Sequence, residues 1–151
     1  MISTADELQH RLQHFKDGLK RAGVKLTHQR LEVCREIATS TAHPNAETVF
    51  IGVRERVPTI SLDTVYRTLS LLVELGLIDK LGASQETMRF DGNMTPHHHF
   101  VCTRCGAAMD FYHDAYDQLP VPEQVRTLGH VQKVQVEVRG ICQRCAQDAT
   151  T

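Results

Sequence analysis

Cys102 and Cys105, and again Cys142 and Cys145, form two pairs whose members are separated by two residues. That gap lets both thiolates of a knuckle reach one tetrahedral ion. Two knuckles then close a four-sulfur shell with no open position, the donor pattern of structural zinc. Directly before the first pair runs Pro96-His97-His98-His99-Phe100. Imidazoles are borderline donors, suited to a second, exchangeable ion such as iron, manganese or zinc. Neighbouring side chains on a strand point to opposite faces, so only His97 and His99 can share one ion.

The 151 residues, with no Trp and a formal net charge of -1, make one ordinary domain or two small ones. A half of this length is near the limit at which a core alone suffices, so a metal staple in one half makes physical sense. The balanced charge gives no electrostatic footprint of its own for nucleic acid. Arg11, Lys16, Lys20, Arg21, Lys25, Arg30 and Arg35 nevertheless outnumber the acids of their stretch and can form a local basic face. Residues 1–10 lack an apolar h-region and a cleavage signature, and no apolar run approaches membrane length. The expectation is a cytoplasmic protein with no membrane partner, in whose reducing surroundings paired cysteines are metal ligands rather than disulfides. Cys34 lies in a helical pattern and reads as a buried small apolar residue.

These side chains need a scaffold. From Ala5 to Arg21, Leu8, Leu12, Phe15 and Leu19 recur at three- and four-residue steps, the spacing of an amphipathic helix that Gly23 ends. Thr27 is placed to cap a second helix holding Leu31, Val33, Cys34, Ile37 and Ala38. A third begins near Asn45 and runs through Val49, Phe50 and Val53 until Pro58 stops it. Ser61 caps a fourth, Leu62 to Leu75, with Val65, Leu69, Leu72 and Val73 on its apolar face and Gly76 as its left-handed stop. Leu77 to Leu81 and Thr87 to Phe90 then read as two short strands around Gly82-Ala-Ser.

Short helices followed by a hairpin make a winged helix-turn-helix, built from the third helix, the turn at Val57-Pro58-Thr59-Ile60 and the fourth helix. The fourth is the expected recognition helix, and Ser61, Thr64, Tyr66 and Arg67 are the polar or aromatic residues nearest its entering end. Arg67 can read guanine or hold phosphate, and Tyr66 can touch a thymine methyl or a phosphate. Equally, Thr64 can do no more than complete the cap, and Tyr66 can be a core aromatic.

After Gly92-Asn93 the texture changes. His99 to Cys102, Ala107 to Tyr112 and Val131 to Val138 have strand patterns, and Pro120-Val-Pro122-Glu123 can open a short helix into Arg126. The expected fold class is α+β, with residues 1–91 a winged-helix DNA-binding domain and residues 92–151 a small α/β dimerisation domain carrying the four-cysteine zinc site. Strands as exposed as Val131 to Arg139 imply a homodimer in which edges pair. Its two recognition helices would meet a pseudo-palindromic double-stranded DNA operator.

Together these residues resemble the Fur family of metal-dependent bacterial transcription regulators. The matching stretches are Leu26-Thr-His-Gln-Arg30, Ala42-His-Pro44, Ser61-Leu-Asp-Thr-Val-Tyr-Arg-Thr-Leu69, Arg89-Phe-Asp91, His97-His-His-Phe-Val-Cys-Thr-Arg-Cys-Gly106 and Gly140-Ile-Cys-Gln-Arg-Cys145, in family order across nearly the whole chain. The resemblance implies a regulatory metal site between the two domains. Its ligands would be His43 at the start of the third helix, Asp91 closing the wing, His97 and His99 before the first knuckle, and Asp110 on the following strand. Three imidazoles and two carboxylates make an oxygen/nitrogen shell for Fe(II) or Mn(II), with room for an open position.

Within the family, two aspartates at the positions of Asp91 and Asp110 resemble the PerR-type peroxide sensors. Iron sensors usually carry glutamate at the second position, and zinc sensors use a cysteine. A further family site takes a histidine where this chain has Val134, so that site looks incomplete, although His98 and Asp117 would sit near it. Haem-responsive relatives use a Cys-Pro motif, whereas Arg35 follows Cys34 here. The implied activity is that of a peroxide-sensing, metal-dependent repressor and not an enzyme, with His43 and His97 the oxidation-sensitive imidazoles and Gly92-Asn93 a hinge. The alternatives are an iron-responsive repressor without ligand oxidation and, more remotely, a thiol oxidoreductase using Cys102-Thr-Arg-Cys105. The second knuckle and the absence of a βαβ setting weigh against the latter.

Overall fold

The computed structural model describes residues 4–40, 43–82, 88–93 and 95–148. The chain divides into two compact units, Met1–Met94 and Thr95–Thr151.

The first unit begins with α1 (Thr4–Arg21), whose buried side chains are Leu12, Phe15 and Leu19. Gly23 follows with φ +73°, a left-handed turn that only glycine enters without strain. Thr27 caps α2 (His28–Thr39) by accepting the Arg30 amide, and Asn45 caps α3 (Ala46–Arg54) by accepting that of Thr48. Ser61 does the same for α4 (Leu62–Glu74) through the Thr64 amide. The third helix stops at Arg54, short of Pro58. The amides of Arg56 and Val57 both fold back onto the Val53 carbonyl and turn the chain before the proline is reached.

The wing is β1 (Asp79–Leu81) paired antiparallel with β2 (Arg89–Asp91). β1 is shorter than the sequence pattern suggests at its leading end, and β2 runs one residue further than expected, to Asp91. Leu77 and Ile78 are buried in the core, and their amides bond the Leu72 carbonyl at the end of α4, so they belong to the helix exit. The expected turn residues Ala83-Ser84 and the strand start at Thr87 lie outside the described residues, as does Ala42 of the motif before α3.

One apolar cluster spans α1 to α4 and reaches the wing, with Val33, Val49, Val65, Leu69 and Leu72 fully buried and Phe90 arriving from β2. Full burial of such side chains contributes about 1.5–3 kcal/mol each. Gly92, expected at a hinge, stands near the end of this unit and packs against Ile37. A Cβ there would lie 2.6 Å from the Ile37 side chain.

The second unit holds β3 (His98–Cys102), β4 (Ala108–Phe111), α5 (Asp114–Asp117), α6 (Glu123–Arg126), β5 (Glu137–Gly140) and α7 (Gln143–Asp148). The sheet order is β4-β3-β5, with β4 antiparallel and β5 parallel to β3. The strand expected over Val131 to Val138 is displaced to Glu137–Gly140. Its approach is bonded to side chains and to the chain ahead of β3. Gln135 Nε2 donates to the His97 carbonyl at 3.0 Å, and the Val136 amide donates to His98 Nδ1 at 3.1 Å. The four-residue α5 and six-residue α7 have too few turns to show a helical period in sequence.

Candidate metal centres and nucleic-acid face

The parallel register explains how two knuckles forty residues apart converge. Cys102 pairs with Gly140, and the Thr103 amide donates to the Gly140 carbonyl at 2.8 Å. Gly140 lies against the Phe100 ring, where a Cβ would stand 3.2 Å away, so any larger residue would press on the ring. The next residues bring the second knuckle onto the first, and the sulfurs of Cys102, Cys105, Cys142 and Cys145 all lie within 4.8 Å of one another.

The Cys105 and Cys142 sulfurs are 3.8 Å apart. Tetrahedral thiolates at about 2.3 Å from zinc would be separated by about 3.8 Å, so the cluster fits that ion. Amides of Cys105 (3.5 Å) and Cys142 (3.3 Å) both point at Cys102 Sγ and bring its thiol down to about 6. Cys145 goes the other way, up to about 12, because its neighbour Cys142 shares a hydrogen bond with it and burial disfavours charge. Four crowded sulfurs cannot all ionise without a cation, and a zinc ion held by Cys102, Cys105, Cys142 and Cys145 meets that demand. Cys34 lies apart, buried in α2, and burial pushes its thiol up to about 12, which makes it inert.

The oxygen and nitrogen donors are divided between the units. In the first, His43 Nε2 lies 3.5 Å from Asp91 Oδ2, with both side chains buried. The Asn93 amide donates to Asp91 Oδ1 at 2.9 Å. Arg89 Nη1 donates to the His43 carbonyl at 3.0 Å, and the Phe90 amide to that of Pro44 at 2.9 Å. The wing strand is thereby clipped to the entry of α3, which brings a histidine and an aspartate 48 residues apart into one pair.

In the second unit His99 pairs with Asp110 across β3 and β4, and its Nε2 is 3.4 Å from Asp110 Oδ1. His97 shares that face. Its Nδ1 donates to the Thr95 carbonyl at 2.6 Å, which aims Nε2 at His99 Nε2 (3.1 Å) and Asp110 Oδ1 (3.7 Å). Adjacent donors about 2.1 Å from a six-coordinate ion stand roughly 3 Å apart, so these three suit an oxygen/nitrogen-bound cation. The Thr95 carbonyl and the Asn93 amide had no sequence signal, since backbone groups carry no residue type.

His98 faces away from that set, toward Phe111 and Tyr116. Its Nδ1 accepts the Val136 amide, so Nε2 carries the proton and donates to Asp117 Oδ1 at 2.8 Å. Both ring nitrogens are committed, and Val134 is exposed nearby in sequence. This pair links β3 to α5 and to the approach of β5.

On α4, Ser61 Oγ accepts the Thr64 amide (3.1 Å) and bonds Thr64 Oγ1 (2.9 Å). Both residues therefore serve the cap. Tyr66 is half-buried and packs against the apolar cluster. Arg67 is exposed, its Nε 2.9 Å from Asp63 Oδ2. Asp63 was missed among the candidate contacts, although its four-residue spacing from Arg67 was visible.

Likeness to known proteins bears on this geometry. A model of the ferric uptake regulator family matches residues 21–138. The peroxide-responsive repressor PerR of Staphylococcus epidermidis is 28% identical over 148 residues, covering 98% of this chain and 99% of that protein. The solved peroxide stress regulator of Campylobacter jejuni superposes with a TM-score of 0.62 at 28% identity, over 89% of this chain and 98% of the other. The ferric uptake regulator of Helicobacter pylori superposes with a TM-score of 0.71, over 92% of this chain and 93% of that one. At 22% identity it supports the fold alone.

Proposed function

Because the chain belongs to the ferric uptake regulator family, we propose that this metal-responsive repressor senses peroxide through oxidation of ligand histidines. The observation that carries the reading is the donor set itself. His43, Asp91, His97, His99 and Asp110 supply nitrogen and oxygen only, both carboxylates are aspartates, and the thiols are engaged elsewhere. Such a set suits Fe(II) or Mn(II). The near full-length likeness to a peroxide-responsive repressor points the same way.

His43, Asp91, His97, His99 and Asp110 would together hold one such ion, and that shared hold would tie the two units. It favours whichever arrangement binds DNA, through its differential affinity for that state. Fe(II), when bound, supplies the one-electron chemistry by which peroxide oxidises a neighbouring imidazole. His43 and His97 are the imidazoles assigned that fate. An oxygenated ring is a poorer donor, so the joint set loses its hold and repression is relieved. The zinc cluster stays outside this chemistry because a filled four-sulfur shell shields its thiolates.

The protein acts as a homodimer. Met109, Val131, Val134, Val138 and Ile141 leave apolar area exposed on the second unit, and both β4 and β5 are sheet edges. Two α4 helices related by the dimer axis read a pseudo-palindromic operator. No described helix is long and apolar enough to cross a membrane.

The test loads zinc-replete protein with Fe(II) or Mn(II), adds stoichiometric peroxide and maps oxygen gain by peptide mass spectrometry. One oxygen on the peptide holding His43 or His97, with Fe(II) only, is the expected result. Fe(II)-dependent DNA binding with intact histidines would overturn it and make the protein an iron-responsive repressor.

A further inference from the structure

The outer face of α4 carries a second charged group beside the arginine singled out from sequence. Val65, Thr68, Leu69 and Leu72 are buried, Tyr66 packs inward, and Ser61 and Thr64 bond each other at the cap. Thr68 Oγ1 turns back to the Thr64 carbonyl at 2.8 Å. In the first two turns this leaves Asp63 and Arg67 as the charged heads in solvent, with side chains 70% and 82% exposed.

A carboxylate at the entering end of a recognition helix is an odd choice. It faces phosphates of its own sign, and base edges in the major groove are mostly acceptors. An exposed i,i+4 ion pair adds little stability, and the first-turn position of Asp63 satisfies the helix dipole with or without Arg67. The geometry offers a better use. Asp63 Oδ2 takes Nε of Arg67 at 2.9 Å, and a guanidinium held by Nε keeps its two terminal nitrogens as a forward-facing fork. That fork matches O6 and N7 of guanine. Arg30, which lines the same hollow as Arg67 and Thr64, turns its Nη1 to the Lys25 carbonyl at 2.7 Å.

We propose that Asp63 is a specificity-determining residue that orients Arg67 to read a guanine and, by its charge, weakens binding to DNA lacking that base. The inference rests on the DNA-binding reading above. Because Asp63 acts through Arg67, it is a positioning residue, and its removal affects two measurable quantities in opposite directions.

The experiment selects duplexes from a randomised pool with the full-length, Mn(II)- and zinc-loaded protein, comparing wild type with Asp63→Ala, Asp63→Asn and Arg67→Lys. Wild type should enrich one guanine per half-site. Asp63→Ala should lower that preference by about tenfold or more, tighten binding to non-specific duplex and leave the melting temperature nearly unchanged. Arg67→Lys, which keeps the charge but lacks the fork, should lose the same preference while retaining non-specific affinity. An Asp63→Ala pool indistinguishable from wild type would overturn the proposal, as would loss of preference accompanied by a matching loss of non-specific affinity. A wild-type protein that selects no sequence would instead sink the DNA-binding reading, and this inference with it.

Discussion

Residues 4–93 bury leucines, valines and phenylalanines from four helices and the wing, whereas the buried side chains of residues 95–148 are His97, His98, His99, Cys102 and Cys145. The first unit has an ordinary apolar core. The second spends its interior on metal-binding chemistry and leaves much of its apolar area outside. A core of hydrocarbon is stable without a ligand, while crowded thiols and imidazoles are stable chiefly with a cation among them. One half of the molecule thus holds together on hydrocarbon, and the other gathers its buried side chains from residues able to bind metal.

Cys102→Ser should break that contrast most severely. A structural zinc is worth about 10–16 kcal/mol in small peptide systems, against ~5–15 kcal/mol for the stability of a whole domain. Zinc content should fall, and hydrogen exchange should accelerate across residues 95–148 while the helices of residues 4–93 keep their protection. Unchanged protection in the second unit would remove the zinc cluster from its role. Leu69→Ala is the reciprocal experiment. It opens a cavity in the fully buried core and should cost about 2–5 kcal/mol, seen as a lower denaturant midpoint for the first unit with zinc content unaltered.

His98→Ala sharpens the comparison inside the second unit. It strands the Val136 amide and Asp117 and should cost about 1–3 kcal/mol, with faster exchange confined to α5 and the approach to β5. The number of metal equivalents bound should stay the same, and loss of one would mean that His98 is a ligand after all.

The smallest effect concerns acid stability of the first unit. Arg56 donates to Glu32 at 2.5 Å and to Glu36 at 2.9 Å, and the Arg56 guanidinium holds the Glu32 carboxyl below its ordinary value of 4.5. A lowered folded-state pKa contributes stability that is fully present above the unfolded value and is lost as pH falls through the folded one. Glu32→Gln should therefore flatten the acid limb of helix unfolding as pH falls below the ordinary carboxylate value of 4.5. An unaltered limb in circular dichroism would assign it to other groups.

How much of this was legible follows from the range of each signal. Thr27, Asn45 and Ser61 act on amides three residues ahead, so the helix starts could be read from sequence. The displaced β5 could not, because its approach bonds to an imidazole and to a carbonyl nearly forty residues away. Asp63 and Arg67 show both sides of this limit. Their spacing is local and visible, but only packing of the rest of α4 reveals that they are its exposed charged heads in the first two turns.

By itself, the amino-acid sequence determined the helix caps, the knuckle spacing and the chemical type of every donor, because each depends on residue identity and short-range geometry. Tertiary structure alone decided that Cys102 lies beside Gly140, that the wing brings Asp91 to His43, and that the Val136 amide and Asp117 occupy both nitrogens of His98. Those outcomes depend on strand register and on backbone groups such as the Thr95 carbonyl, and neither is encoded at any single position.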